Sequence, residues 1–167
     1  MFYEEVFKSL NKAKVKYVVA GGVAVVLHGY ERHTSDLDLI IFLEETNLDK
    51  AFDAFKSIGY HPKVPVTKEQ FIDSKQRLKW KKEKGMIVFS FVHKDPPFQL
   101  VDVFVDEPIP FEAIYKNRVE AKIKNITIPI ISIEHLVKLK KDASRDIDLI
   151  DITQLRAIQQ IKKENEK

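Results

Sequence analysis

Cysteine is absent from the chain, which excludes disulfides, thiolate metal ligands and thiol nucleophiles and is compatible with a reducing compartment. Also missing is any run approaching the ~20 apolar residues that a membrane span needs. Residues 1–14, MFYEEVFKSLNKAK, lack the apolar core of a signal peptide. These absences predict a cytoplasmic protein with no membrane partner. No internal repeat, low-complexity tract or flexible linker interrupts the sequence, so a single domain over residues 1–167 is expected. Net charge is small: 28 Lys and Arg against 25 Asp and Glu leave +3, with a pI near 8.9. A balance this mild permits an anionic substrate or a nucleic-acid partner without demanding one. With 44% hydrophobic and 32% charged residues, the composition suits a globular chain that buries a core and is too apolar for a disordered one.

What is present is concentrated between Tyr17 and Phe42, YVVAGGVAVVLHGYERHTSDLDLIIF. The pattern predicts a strand over 17–20, a turn at Gly21 and Gly22, a brief helix closed by Gly29, a polar loop, and a second strand over 37–42. Side chains alternate along a strand, so Asp36 and Asp38 leave on one face while Leu37, Leu39 and Ile41 point the other way. Paired carboxylates repel unless a cation or donor cluster holds them, which is how a divalent metal site is built. Two Gly alone make a tight turn; placed before paired carboxylates, they let backbone approach a ligand and aim free helix N–H groups at an anion. Arg32, Thr34 and Ser35 lie in the intervening loop, either as a polar surface or as a fork and hydroxyls for phosphate oxygens.

Elsewhere the periodicity predicts helices over 2–13, 47–58 and about 68–84, with a Pro-containing connector over 60–66. Strands are expected over 86–92 and 98–105, then a short helix near 111–116 and a hairpin or edge strands over 119–123 and 126–131. Two helices, 133–143 and about 146–163, close the chain, and the terminal KKENEK is expected to fray. The fold class is therefore α+β or α/β: a mixed sheet flanked by helices over about 1–131, then a helical pair over about 132–164.

A third carboxylate is offered by Asp102, which interrupts the apolar strand QLVDVFV where an unpaired charge would be costly. Asp106 competes for that role but stands beside Glu107 and Pro108, as a solvated turn residue does. His28 and His33 read as packing and surface residues rather than ligands. Lys140 follows Leu136 by one turn, at the edge of an apolar helix face, and needs an anionic partner. That partner is either an acid of the last helix, Asp148 or Asp151, or a bound phosphate. The lysine-rich segment 75–84, with Arg77 and Trp80, reads as a solvated helix face or as a track for a nucleic-acid backbone with one stacking aromatic.

The spaced strings GGVAVVLHGYERHTSDLDL and SRDIDLIDI resemble the DNA polymerase beta superfamily of nucleotidyltransferases. Within it they resemble most a bacterial branch that includes the abortive-infection toxin nucleotidyltransferases of toxin–antitoxin systems. The resemblance runs from about residue 17 to 155 and implies a nucleotidyltransferase-like sheet. It implies that Asp36, Asp38 and Asp102 bind two Mg²⁺ (or Mn²⁺) ions about 3.5 to 4 Å apart, and that Asp102 helps deprotonate an acceptor hydroxyl. Gly21, Gly22 and Lys140 would hold a nucleoside triphosphate, and Asp148 matches the acid of the downstream motif. Two features depart from the pattern: the Gly22-Val23 pair stands where many members have a Ser or Thr, and Ile147 stands where relatives commonly have a Lys. The implied activity is metal-dependent transfer of a nucleoside monophosphate to a protein, RNA or small-molecule hydroxyl. The toxin branch further implies a tRNA acceptor and an antitoxin partner. The rival expectation is a non-catalytic nucleotide- or RNA-binding module that keeps the fold. A metal-dependent phosphohydrolase would use similar carboxylates but gives no reason for a Gly turn placed to hold a leaving pyrophosphate.

Overall fold

A computed structural model describes residues 3–165. Phe2, the expected start of the first helix, and the last two residues of KKENEK lie outside the described residues. Helix α1 (Glu4–Lys12) buries Val6, Phe7 and Leu10 on the face their spacing defines. It is followed by β1 (Tyr17–Ala20), α2 (Gly21–His28), β2 (Asp36–Ile41), α3 (Glu45–Ser57) and β3 (Tyr60–Pro62). Next come α4 (Lys68–Ile72), α5 (Ser74–Lys84), β4 (Val88–His93) and β5 (Leu100–Phe104). The chain ends with α6 (Phe111–Lys116), the hairpin β6 (Val119–Ile123) and β7 (Ile126–Ile130), α7 (Ile133–Ala143) and α8 (Asp146–Asn165). Residues 162–165 of the tail, expected to fray, continue α8.

The strands form one mixed seven-stranded sheet in the order β3-β4-β5-β2-β1-β7-β6. β2 lies parallel to β5 and antiparallel to β1, and β7 joins the far side of β1 in parallel. In β2, Leu37, Leu39 and Ile41 are buried while Asp36 and Asp38 keep partial exposure, the division of faces expected from alternation. No helix among the described residues is long and apolar enough to cross a membrane.

Two expected elements differ. The connector over 60–66 opens with β3, an edge strand paired to β4 through Tyr60↔His93 and Pro62↔Phe91. An edge position tolerates Pro62, which has no N–H to give, and Tyr60 is buried. The single helix over 68–84 is two helices, because Asp73 turns extended (ψ 115) and its carboxylate accepts from the Lys75 N–H as the cap of α5. That break turns Arg77 and Trp80 inward. Trp80 stacks on Phe89 with ring centroids 5.6 Å apart, beside the Phe71 and Phe91 rings. Arg77 donates to the Phe71 carbonyl at 2.8 Å and to that of Ile72, both left free at the end of α4. Neither side chain is open to a nucleic acid, and the stacking role considered for them falls.

Candidate active site

Strand register brings the site together. Asp38 of β2 sits opposite Asp102 of β5, Asp102 sits opposite Ser90 of β4, and Asp38 sits opposite Ala20 of β1. Residues opposite one another share a face, so Ser90, Asp102, Asp38 and the end of β1 form one row across four strands about 4.8 Å apart. Asp36 lies two residues back on the same face, its carboxylate accepting from Ser35 Oγ at 2.7 Å. Ser90 Oγ donates to Asp102 Oδ1 at 2.6 Å.

Chain direction explains the glycines. At the end of β1 the backbone must turn into α2 directly beside Asp38. Gly21 does so at φ 59, in the left-handed region, and a Cβ there would fall 1.8 Å from Asp38 Oδ2. Gly21 is thus glycine for two separate reasons, backbone conformation and contact with the carboxylate. At Gly22 a Cβ would meet Arg32 Nη2 at 2.4 Å and Thr34 Oγ1 at 2.5 Å. The loop residues therefore lie against the start of α2.

The carboxylates are crowded. Burial pushes the Asp38 carboxyl up to about 6, helped by repulsion from Asp102 and Asp36 and opposed by Arg145 and Lys140. Burial also raises Asp102, and Asp36 adds to this, while the Ser90 hydrogen bond and Lys63 pull it back. Among the described residues no group of three or more His, Asp or Glu side chains is drawn together tightly enough to be a complete metal cage. The donors nevertheless suit a hard cation: all are carboxylate oxygens, and their mutual repulsion is what such an ion would relieve. Magnesium sites characteristically use one or two carboxylates and complete their shell with water and substrate phosphates.

Behind the row runs a buried chain of alternating charge. Lys140 Nζ lies 2.7 Å from Asp151 Oδ2 and 3.1 Å from Asp148 Oδ1, all three groups almost wholly removed from solvent. Arg32 Nη1 approaches Asp151 Oδ2 at 3.3 Å, and Arg145 Nε approaches Asp148 Oδ2 at 2.8 Å. Burial raises the Asp148 carboxyl, but the Arg145 and Lys140 hydrogen bonds outweigh it and hold the group down to about 2. Both acids that the sequence offered to Lys140 are its partners. The ends of the chain are guanidiniums: Arg32 against Gly22, and Arg145, whose side chain is 71% exposed and whose charge acts on Asp38.

The remaining candidates are placed apart. His28 donates Nε2–H to the Ile131 carbonyl at 2.7 Å within the core, and burial lowers its pKa. Asp106 pairs with Lys81 beyond the end of β5. His33 is exposed in the loop before β2. Ser90 was not singled out in the sequence, although it interrupts the apolar run IVFSFV as Asp102 interrupts its own.

A mixed sheet whose adjacent parallel strands present paired carboxylates beside a glycine turn into a helix has the architecture of a nucleotidyltransferase. A family model described as a nucleotidyl transferase of unknown function (DUF2204) matches residues 2–167, and the chain belongs to that family. Among solved structures it is similar to the lincosamide antibiotic adenylyltransferase LnuA with lincomycin bound, at 20% identity over 94% of each chain and a TM-score of 0.62. It is similar to ANT(2″)-Ia in complex with adenylyl-2″-tobramycin, at 10% identity over 99% of this chain and 97% of that one, with a TM-score of 0.59. An antigenic nucleotidyltransferase-like protein from Paracoccidioides brasiliensis aligns at 18% identity over 89% and 71% of the two chains, with a TM-score of 0.57. At such identities the likeness is one of fold. No curated protein matches the sequence.

Proposed function

We propose that the protein transfers a nucleoside monophosphate from a nucleoside triphosphate to the hydroxyl of a small molecule. The observation that carries this reading is the in-register pair Asp38 and Asp102 with Gly21 pressed against the Asp38 carboxylate. Asp36, Asp38 and Asp102 are the residues that would hold Mg²⁺ or Mn²⁺, as two ions. When bound, these ions supply positive charge against the α-phosphate and the leaving pyrophosphate.

The chain's own groups do the rest. The Gly21 and Gly22 amides at the start of α2 face the phosphates, with Arg32 and Thr34 from the adjoining loop, while the Ser35 hydroxyl holds the Asp36 carboxylate. Thr34 and Arg32 fill the space that a residue-22 side chain would take, so a loop hydroxyl and guanidinium serve where many relatives use a Ser. Arg145 serves likewise where relatives use a Lys at the position of Ile147. Lys140 and Asp148 contribute from behind: Asp148 orients Arg145, and Lys140 fixes Asp148 and Asp151. Asp102, its pKa raised and one oxygen held by Ser90, accepts the proton of the acceptor hydroxyl. The hydroxyl oxygen bonds to the α-phosphorus, the bond from that phosphorus to the bridging oxygen breaks, and pyrophosphate carries the electrons away.

A small acceptor is favoured by a cleft beside Asp36 with a volume of about 330 Å³, near the lower end of the ~300–1,000 Å³ usual for small-molecule sites. The tRNA acceptor implied by the toxin branch has no comparable support, since Trp80, the aromatic offered for stacking, is buried. A reaction that consumes nucleoside triphosphate with Mg²⁺ suits the cytoplasm.

The test is calorimetric titration of the four nucleoside triphosphates with Mg²⁺ or Mn²⁺ into wild type and into Asp36→Ala/Asp38→Ala. Metal-dependent binding in wild type, weakened at least about 100-fold in the variant, is expected. Wild type that binds no triphosphate with either metal would overturn the assignment.

A further inference from the structure

We infer that the cleft where β2 and β5 begin is the acceptor subsite, and that it takes a neutral, ring-bearing hydroxyl compound rather than a polycation. This rests on the transfer reading of the carboxylate row. The cleft is walled by the loop before β2, with His33, Ser35 and Asp36, and by the turn before β5, with Phe98 and Leu100. Tyr3 joins the walls: its hydroxyl lies 2.6 Å from the Ser35 carbonyl and 3.0 Å from that of Leu100. The two strand entrances are thereby fixed before any ligand arrives, which lowers the cost of ordering a site.

Position favours the acceptor over the nucleotide. In-line displacement puts the attacking oxygen opposite the leaving pyrophosphate. Pyrophosphate is drawn toward the Gly21–Gly22 turn, which follows β1. Asp102, the base, is on β5, and in the sheet β2 lies between β1 and β5. The attacking hydroxyl therefore enters from the β5 side, where the turn carrying Phe98 stands.

Phe98 gives the cleft its character. Its side chain is 56% exposed and its backbone sits at φ 55, a conformation that disfavours a bulky residue and suits Gly or Asn. The fold gains little core burial from this ring, so packing does not account for a phenylalanine there. A ring at the mouth of a cleft beside reacting groups offers a flat face for stacking. Charge narrows the ligand. Among the described residues Asp36 is the one acid lining the cleft, and the metal-binding role already occupies it. Several ammonium groups would find no counter-charges, whereas Phe98, Leu100 and the Tyr3 ring suit a neutral ring that carries a hydroxyl.

The probes are p-nitrophenyl β-D-glucopyranoside, a neutral sugar with an aromatic ring, and tobramycin, a polycation. Each is titrated by saturation-transfer NMR into wild type and Phe98→Gly, with and without a Mg²⁺ complex of a non-hydrolysable α,β-methylene triphosphate. Phe98→Gly suits the backbone angle, so it removes the ring without endangering the fold. The expected result is glucoside binding to wild type, at least tenfold weaker binding in Phe98→Gly, nucleotide affinity unchanged within twofold, and no tobramycin binding. Glucoside that fails to bind wild type, or tobramycin that binds more tightly, overturns the inference while leaving the transfer reading intact. Loss of nucleotide affinity in Phe98→Gly would assign the ring to the base and also overturn it. If wild type binds no triphosphate, the transfer reading fails and the acceptor assignment falls with it.

Discussion

Gly22 and Thr34 occupy one another's space: a Cβ on Gly22 would fall 2.5 Å from Thr34 Oγ1, closer than unbonded atoms approach. The loop before β2 thus brings a hydroxyl to the start of α2 without a side chain at position 22. Gly22→Ser is therefore expected to push Thr34 and Arg32 outward and to weaken triphosphate binding about tenfold, despite restoring the residue many relatives carry. Thr34→Gly in the same chain removes one of the two obstructions and leaves only the flexible end of Arg32 to give way, so the double variant should regain part of the affinity. Titration of both variants checks this. An affinity gain in Gly22→Ser alone would show that the loop does not fill that role.

The elevated Asp38 pKa gives a pH dependence with a definite sign. The carboxyl ionises near 3.8 in an ordinary setting and near 6 in the fold. Between those values the native state holds a proton the unfolded chain has lost, so stability falls as pH rises from about 4 through 6 and levels off above. Asp38→Asn should stabilise the protein by about 1–3 kcal/mol at pH 8 and by almost nothing at pH 4. Denaturant unfolding at the two pH values measures the difference. Added Mg²⁺ should raise the melting temperature of wild type above pH 6, where the carboxylate is charged, and leave Asp38→Asn less affected.

How far the site could be read from the chain follows from what kind of signal each part leaves. Asp36 and Asp38 on one face, the glycine turn and the polar interruption at Asp102 are local patterns, and strand alternation translates them into geometry directly. Contacts between distant loops leave no such pattern. The closeness of Arg32 and Thr34 to Gly22, the bond from Ser90 to Asp102 and the Tyr3 bridge all depend on strand order. The lysine-rich segment was ambiguous for another reason. Its inward face consists of Arg77 and Trp80, and an arginine reads as inward only once α4 ends at Asp73 and leaves carbonyls to be capped. β3 was hidden by Pro62, which argues against a strand except at an edge.

Lys140 is held by two acids away from solvent, and removing it takes from Asp151 its shorter ion pair, leaving Arg32 at 3.3 Å, while Asp148 keeps Arg145. Lys140→Met is expected to destabilise the fold by about 3–5 kcal/mol, the usual consequence of leaving buried charge uncompensated. Pairing it with Asp151→Asn should recover part of that loss, because Asp148 keeps its bonds to Arg145. Chemical denaturation of the single and double variants reads the coupling. A single variant as stable as wild type would mean that water reaches the pair.

Ser90 lies on the strand next to Asp102, and its hydroxyl bonds to the proposed base. Its hydroxyl proton stabilises the ionised carboxylate, so Ser90→Ala should raise the Asp102 pKa further, since burial and Asp36 already push it up. Deprotonated Asp102 would then be scarcer at a given acidic pH. The acid limb of the pH–rate profile should move to higher pH, with the rate near neutrality reduced about 10-fold from loss of both charge and orientation. A purely structural role would lower the rate evenly across pH and leave the limb in place. Ser90→Thr keeps the hydroxyl on a side chain that strands favour, and should restore the wild-type limb. If it restores stability without moving the limb back, the hydrogen bond to Asp102 does not set the titration.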